Sequence, residues 1–316
     1  MSLLLASLAC MSDITQSAVP YWFAIKYPQG FKYSYWEPGH TLQESKYDMQ
    51  DTDRGALTWT MNQLWSENNN VSYVIYNDES PLNTTYDFSK GHTKGILATD
   101  GSHGFWLQHS TPKWPLGPTY IDTYGGLTSN GFDYGQHFFC ISLNAAEVER
   151  LAGHLAINRP NIQDYFVTAD PESNFSLLAQ GNYITDPICQ SITIDIYNHR
   201  WDIFAKTSEW NNELYDACIA PSMHESLQVE SWLRGSECGS YCKDPSVVDI
   251  KSVQFNDYNW SEYHDHSKWA IGESVICFAD INRMTTQASR GGGAICVHEP
   301  EIVSIFNKSV MEANSC

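Results

Sequence analysis

Two triplets of one kind carry the groups that could act on a phosphate ester: His92-Thr93-Lys94 and His266-Ser267-Lys268. They are the only His-x-Lys triplets among the 316 residues. In an extended strand, residues two apart point to the same face. Each triplet would therefore present an imidazole and an ammonium to one cavity. Cleaving a phosphodiester without a metal or cofactor needs a nucleophile, an acid on the opposite side and fixed positive charge. A neutral imidazole can attack phosphorus and form a phosphohistidine. A protonated imidazole can supply the leaving oxygen with its proton. The lysines can hold the non-bridging oxygens. We assign His92 as nucleophile and His266 as acid; the symmetry of the two triplets also allows the reverse. One ring must be neutral while the other is charged, which gives a bell-shaped pH profile. Asp265 and Asp280, if close, would favour the charged form, and the lysines the neutral one. Spacing alone is also compatible with two structural histidines, since about 0.4 such triplets are expected by chance.

The elements that must position these groups can be read from periodicity and turn residues. Tyr21–Tyr27 and Lys32–Trp36 read as strands. Asp53 is a candidate cap for a helix to about Glu67, with Leu57, Met61, Leu64 and Trp65 on one face. Val71–Tyr76 is a strand closed by the turn cluster Asn77–Pro81. Gly91–Ala98, carrying His92 and Lys94, forms a hairpin through Asp100-Gly101 with Gly104–Ser110, which carries His109. His137–Ser142 is a strand, and Asn144 caps the helix Ala145–Ile157. Ser191–Tyr197 and Trp201–Lys206 make a second hairpin, followed by a short helix at Asn211–Ile219. Leu227–Leu233, Val247–Phe255, Ser267–Ile271 and Ser274–Ile281 are strands, and Pro300 opens a terminal helix to about Met311. Both halves thus contain a hairpin led by His-x-Lys. The return strands bring His109 in one half, Asp280 and Asn282 in the other. Asn282 is placed to orient a histidine or a phosphate oxygen. The expected fold is mixed α/β, with two lobes packed face to face. We divide the chain into an N-terminal segment (1–17), a first lobe (18–170) and a second lobe (171–316).

The net charge of −19 at pH 7 repels nucleic acid at neutral pH. Full protonation of the 11 histidines would reduce it to −8, so an anionic partner is better tolerated in acid. Nine cysteines without a zinc-type pattern point to disulfides in a secreted or lysosomal protein. Sequons at Asn70, Asn83, Asn174, Asn259 and Asn307 agree with N-glycosylation there. Residues 1–10 resemble the apolar core of a shortened signal peptide. No run approaches the ~18 apolar residues of a membrane span.

Longer strings carry a resemblance. They include Tyr76-Asn-Asp78, Gly91-His-Thr-Lys-Gly95, Gly104-Phe-Trp-Leu-Gln-His109 and Tyr134-Gly-Gln-His-Phe-Phe-Cys140. Phe204-Ala-Lys206, Glu213-Leu-Tyr-Asp216, Asp265-His-Ser-Lys-Trp269, Asp280-Ile-Asn-Arg283 and Arg290-Gly-Gly-Gly293 continue them. Across most of its length the chain resembles the deoxyribonuclease II family, acid, metal-independent endonucleases of the phospholipase-D-like superfamily. The resemblance implies that fold, two pseudo-symmetric lobes with the site between them, and a lysosomal or secreted location. It implies a DNA substrate cut to 3′-phosphate and 5′-hydroxyl ends with little sequence specificity. It places His92, Lys94, His266 and Lys268 in the family's two motifs and His109 at its additional essential histidine. It further implies the bridges Cys277–Cys296, Cys10–Cys140, and Cys316 with Cys238 or Cys242. Cys189 and Cys218 are then free to pair, and Cys10 belongs with the mature chain rather than the signal.

No basic stripe is visible, so DNA must be held by a local cleft around Lys94 and Lys268. Trp114, Trp269 and Tyr134 are candidates to line it, with ordinary core or rim packing the alternative for each alone. A secreted non-catalytic member of the same family, acting as an effector or toxin, is the rival reading; the intact His and Lys set speaks against it. A phospholipase on this scaffold would need a long apolar groove, and none is evident.

Overall fold

A computed structural model describes residues 7–65, 70–82, 86–168 and 170–316. Strands β1 (Cys10–Met11) and β2 (Ala18–Val19) pair as a small ribbon. The first lobe then contributes β3 (Tyr21–Lys26), β4 (Tyr33–Trp36), β5 (Gln43–Glu44), helix α1 (Ala56–Asn62), β6 (Ser72–Asn77), β7 (Lys94–Thr99), β8 (His103–His109), β9 (Gln136–Asn144), α2 (Ala145–Leu155) and β10 (Ile162–Phe166), and α3 (Asn174–Ala179), just past residue 170, bonds to Glu149 of α2. The second contributes β11 (Cys189–Ile196), β12 (His199–Lys206), α4 (Ala220–Met223), β13 (Leu227–Glu230), β14 (Val247–Phe255), β15 (Tyr258–Ser261), β16 (Trp269–Ile271), β17 (Ile276–Ala279), β18 (Gly292–Val297), α5 (Pro300–Ser309) and β19 (Val310–Ala313).

Each lobe is built on one large sheet. Starting from β4, the first runs β4-β3-β9-β8-β7-β6. The second runs β11-β12-β18-β17-β16-β13. The two orders correspond strand for strand, so β3 matches β12, β7 matches β16 and β9 matches β18. Alternation along each strand sorts the side chains into layers. On β3, Tyr21, Phe23 and Ile25 enter a core shared by both lobes, while Trp22 and Ala24 face outward beneath α1. On β18, Ile295 and Val297 enter the shared core, while Ala294 and Cys296 face the outer cluster around Leu214 and Tyr215. Phe139 stacks on Phe278 at 4.7 Å across the lobe boundary, and Tyr21 meets Trp201 at 4.9 Å. Each such buried ring contributes roughly 1.5–3 kcal/mol of transfer free energy, so the lobes form one packed body.

Local chemistry explains the boundaries. Asn144 caps α2, accepting from the Glu147 N–H while Glu147 reaches back to the Asn144 N–H. Asp100 accepts the Ser102 and His103 N–H groups at 2.8 and 2.7 Å, and Gly101 adopts φ +86° in the hairpin turn. The first helix differs from expectation. It starts after Gly55 rather than Asp53, and Asp13 accepts the Ala56 N–H at 2.9 Å. That cap comes from a distant part of the chain. Both His-x-Lys histidines also lie just before their strands, so β7 begins at Lys94 and β16 at Trp269.

Disulfides join Cys10 to Cys140, Cys189 to Cys218, Cys242 to Cys316 and Cys277 to Cys296. Cys238 keeps a free thiol, which settles its competition with Cys242. Asn70, Asn174, Asn259 and Asn307 are exposed, and Asn83 lies outside the described residues. Residues 1–6 of the signal-like segment also lie outside them, whereas Leu8, Ala9 and Cys10 are buried. Among the described residues no helix is long and apolar enough to cross a membrane.

Candidate active site

Each His-x-Lys histidine is carried by one lobe and gripped by the other. The His92 N–H donates to the Gly291 carbonyl at 2.7 Å. The His266 N–H donates to the Gly135 carbonyl at 2.8 Å. Gly291 stands immediately before β18 and Gly135 immediately before β9, so the two grips occupy matching positions. Gly91 lets the first segment come close, because a Cβ there would lie 1.9 Å from the Asn158 carbonyl oxygen.

The His92 ring is fixed by a 2.7 Å contact from Nδ1 to the Asp280 carbonyl. A carbonyl can only accept, so Nδ1 carries the proton and Nε2 offers its lone pair. Nε2 faces Asp78 Oδ2 at 3.6 Å, and Asp78 Oδ1 is ion-paired with Lys94. Asp78 also accepts from Tyr86 at 2.6 Å, and Tyr86 accepts from Arg290 at 2.6 Å. Burial alone would raise the Asp78 carboxyl, but Lys94 and then His92 outweigh it and hold it below its ordinary range.

His266 has different neighbours. Its ring lies 3.9 Å from Trp232 and stacks on Tyr134 at 4.4 Å, and its buried Nε2 has no hydrogen-bond partner. The Arg234 guanidinium sits over both aromatic rings. Lys268 donates to the His266 carbonyl. Its own N–H donates to His137 Nδ1 at 3.1 Å.

Electrostatics binds the set together. Burial, then Lys94, lowers His92 well below the ordinary histidine range. Burial, then Lys268, Lys94 and His92, does the same to His266. Burial, then Lys94, brings Lys268 down to about 7. Burial pushes Asp280 up to about 6, although Thr93 and Gln108 donate to it at 2.9 and 3.2 Å. The two triplets thus feel each other's charge from opposite lobes.

An open pocket of about 270 Å³ is lined by Asp78, His92, Trp232, Arg234 and Asn282, while His266, Lys94 and Lys268 do not line it. Asn282 is buried with its Oδ1 unpartnered, so its amide is available at the pocket. His109 is buried at the end of β8, 4.8 Å from Trp114, within reach of the Lys94 charge. It does not line the pocket.

Two expected cleft residues belong elsewhere. Trp114 is 1% exposed and packs on His109 and Phe138; Trp269 is fully buried against Phe306 and Phe255. Both follow ordinary core burial of large rings. Asp265 does not touch a histidine ring; it accepts from Trp260 and the Ser267 N–H, both at 2.7 Å. Asp78, His137, Trp232, Arg234 and Arg290 were not singled out by spacing. Asp78 and Trp232 each lie just past the strand that flanks a His-x-Lys segment, and strand pairing was the signal that could have found them.

Comparison with known proteins agrees with this architecture. The family model described as Deoxyribonuclease II matches residues 9–316. The chain is 31% identical over 298 residues to Deoxyribonuclease-2 of Caenorhabditis elegans, covering 81% of this chain and 77% of the relative. It is 29% identical over 310 residues to Deoxyribonuclease-2-beta of Rattus norvegicus, covering 91% and 84%. It is 29% identical over 291 residues to Cell death-related nuclease 6 of Caenorhabditis elegans, covering 84% and 75%. With two matching sheet lobes of the phospholipase-D-like fold and a match over nearly its whole length, the chain belongs to the deoxyribonuclease II family of endonucleases.

Proposed function

We propose that the protein is an acid endodeoxyribonuclease that needs no metal and works through a phosphohistidine. His92 Nε2 attacks phosphorus as the bond to the 5′ oxygen breaks. Protonated His266 gives that oxygen its proton, leaving a 5′-hydroxyl. Neutral His266 then takes a proton from water, which attacks the phosphohistidine and releases His92 and a 3′-phosphate. Lys94, Lys268 and the Asn282 amide hold the non-bridging oxygens. His109 and Asp78 act through Lys94 and His92. The observation that carries this reading is the 2.7 Å contact between His92 Nδ1 and the Asp280 carbonyl, which leaves Nε2 as the attacking atom.

The acid requirement follows from the same surroundings. Burial and the lysines favour two neutral rings, so only a lower pH supplies the protonated partner. A bound phosphate adds negative charge and favours that proton. With contacts to backbone charge and aromatic faces, cutting should be nearly independent of sequence. A lysosomal or secreted setting fits the four disulfides, and glycans would attach at the sequon asparagines.

Plasmid nicking at pH 5 in EDTA tests the reading, beside a His266→Ala variant. Nicking that persists in EDTA and falls about 100-fold or more in the variant is expected. Loss of activity in EDTA would overturn the metal-free step.

A further inference from the structure

Two buried lysines outside the pocket occupy matching places in the two lobes. Lys26 ends β3 and Lys206 ends β12, the strands that correspond in sheet order. Lys26 pairs with Gln136, the first residue of β9, and Lys206 pairs with Gly292, the first residue of β18. Both are fully buried. Lys26 Nζ donates to the carbonyls of Tyr27, Gly30 and Phe132 at 2.7, 2.9 and 3.2 Å. Lys206 Nζ donates to the carbonyls of Ala288 and Arg290 at 2.7 and 2.6 Å. Phe132 and Arg290 lie in the loops that enter β9 and β18. Those loops end in Gly135 and Gly291, whose carbonyls grip His266 and His92.

We propose that Lys26 and Lys206 are positioning residues: each ties down, from within its own lobe, the loop that fixes the histidine of the opposite lobe. Burying an ammonium costs several kcal/mol unless its hydrogen bonds are satisfied, and an apolar chain would serve packing better. Two such ammoniums, one per lobe at the same register, are explained by what their carbonyl partners hold. The chain of contacts runs from Lys26 through the Phe132 loop to Gly135 and His266. The other runs from Lys206 through the Arg290 loop to Gly291 and His92. Each lysine therefore acts on one histidine alone.

That separation makes the idea testable, and the test rests on the histidine roles assigned above. Lys26→Met and Lys206→Met are assayed on DNA and on a nucleoside 3′-(4-nitrophenyl phosphate), read as the first-turnover burst of nitrophenolate, which leaves without needing a proton and before His266 acts on water. Loosening His266 in Lys26→Met should cut DNA cleavage about 100-fold and change the nitrophenyl ester by no more than about threefold. Loosening His92 in Lys206→Met should cut both about 100-fold. Should either variant fail to fold, Gly135→Ala and Gly291→Ala disturb the same loops with the lysines intact. Their added Cβ atoms would lie 2.8 Å from Asp265 Oδ1 and 2.4 Å from the Asn158 carbonyl oxygen. The same split is expected of that pair. The mirror-image split would uphold the ties and reverse the two histidine roles. Equal losses on both substrates in every variant, or no loss, would overturn the positioning proposal. A wild-type protein inert on both substrates would overturn the nuclease reading, and this proposal with it.

Discussion

Asp78 and Lys94 form a buried ion pair beside the His92 ring, with both side chains at or below 6% exposure. The pair connects strand pairing to chemistry, because Asp78 follows β6 and Lys94 opens β7 beside it. Asp78 therefore serves three cations, Lys94, Arg290 at 3.9 Å and, when protonated, the imidazole.

Removing the carboxylate leaves a buried ammonium without its partner. Asp78→Asn should lower unfolding free energy by about 3–5 kcal/mol, as for other broken buried pairs. The depressed Asp78 carboxyl gives the sign with pH. Its contribution is present above the unfolded carboxyl value and fades as pH falls through the lower folded value. Urea titrations at pH 7 and in strong acid check both; a loss below about 1 kcal/mol at pH 7 contradicts the pairing.

The charge nearest in effect on His266 is Lys268, which follows burial among the causes of its lowered affinity for protons. Lys268→Met should raise the basic limb of the kcat/KM profile while lowering kcat. The lost positive charge lets His266 keep its proton to higher pH, but it also removes the proposed contact to the phosphate. A basic limb that stays in place on a pH series would detach Lys268 from His266.

Glu213 offers a test of stability independent of the site. Burial, then Asp216, raises its carboxyl to about 7. A raised carboxyl stabilises the fold most below its unfolded value and loses that contribution as pH rises through about 7. Glu213→Gln should accordingly melt close to wild type at pH 5 and above it at pH 8. A difference that shrinks with rising pH contradicts this.

Much of the fold was legible because it rests on local signals. The Asn144 capping box, the Asp100-Gly101 turn and the alternation of Tyr21, Phe23 and Ile25 all act within a few residues. The start of α1 was not legible, since Asp13 supplies its cap from a remote segment. The site divides the same way. His92, Lys94, His266 and Lys268 were visible as paired triplets. Asp78 read as a turn residue and Trp232 as the tail of a strand, because only sheet pairing sets them beside the histidines. Trp114 and Trp269 follow the core-packing alternative, because an aromatic next to a motif can face the core as readily as the cleft.

Trp232 touches the His266 ring face at 3.9 Å and shields it from water. Trp232→Ala should admit water, raise the basic limb of the pH profile and cut kcat/KM by at least about tenfold. Unchanged kinetics in that variant would make the indole a bystander.

The central claim is that one histidine from each lobe works on a single phosphate, with His92 forming the covalent bond. Rapid denaturing quench of the enzyme with a nucleoside 3′-(4-nitrophenyl phosphate), followed by peptide mapping, tests it most directly. A nucleoside 3′-phosphoryl group on the peptide bearing His92, accumulating further in His266→Ala, is the predicted result. The same group on His266, or full turnover with His92 replaced by alanine, would contradict it.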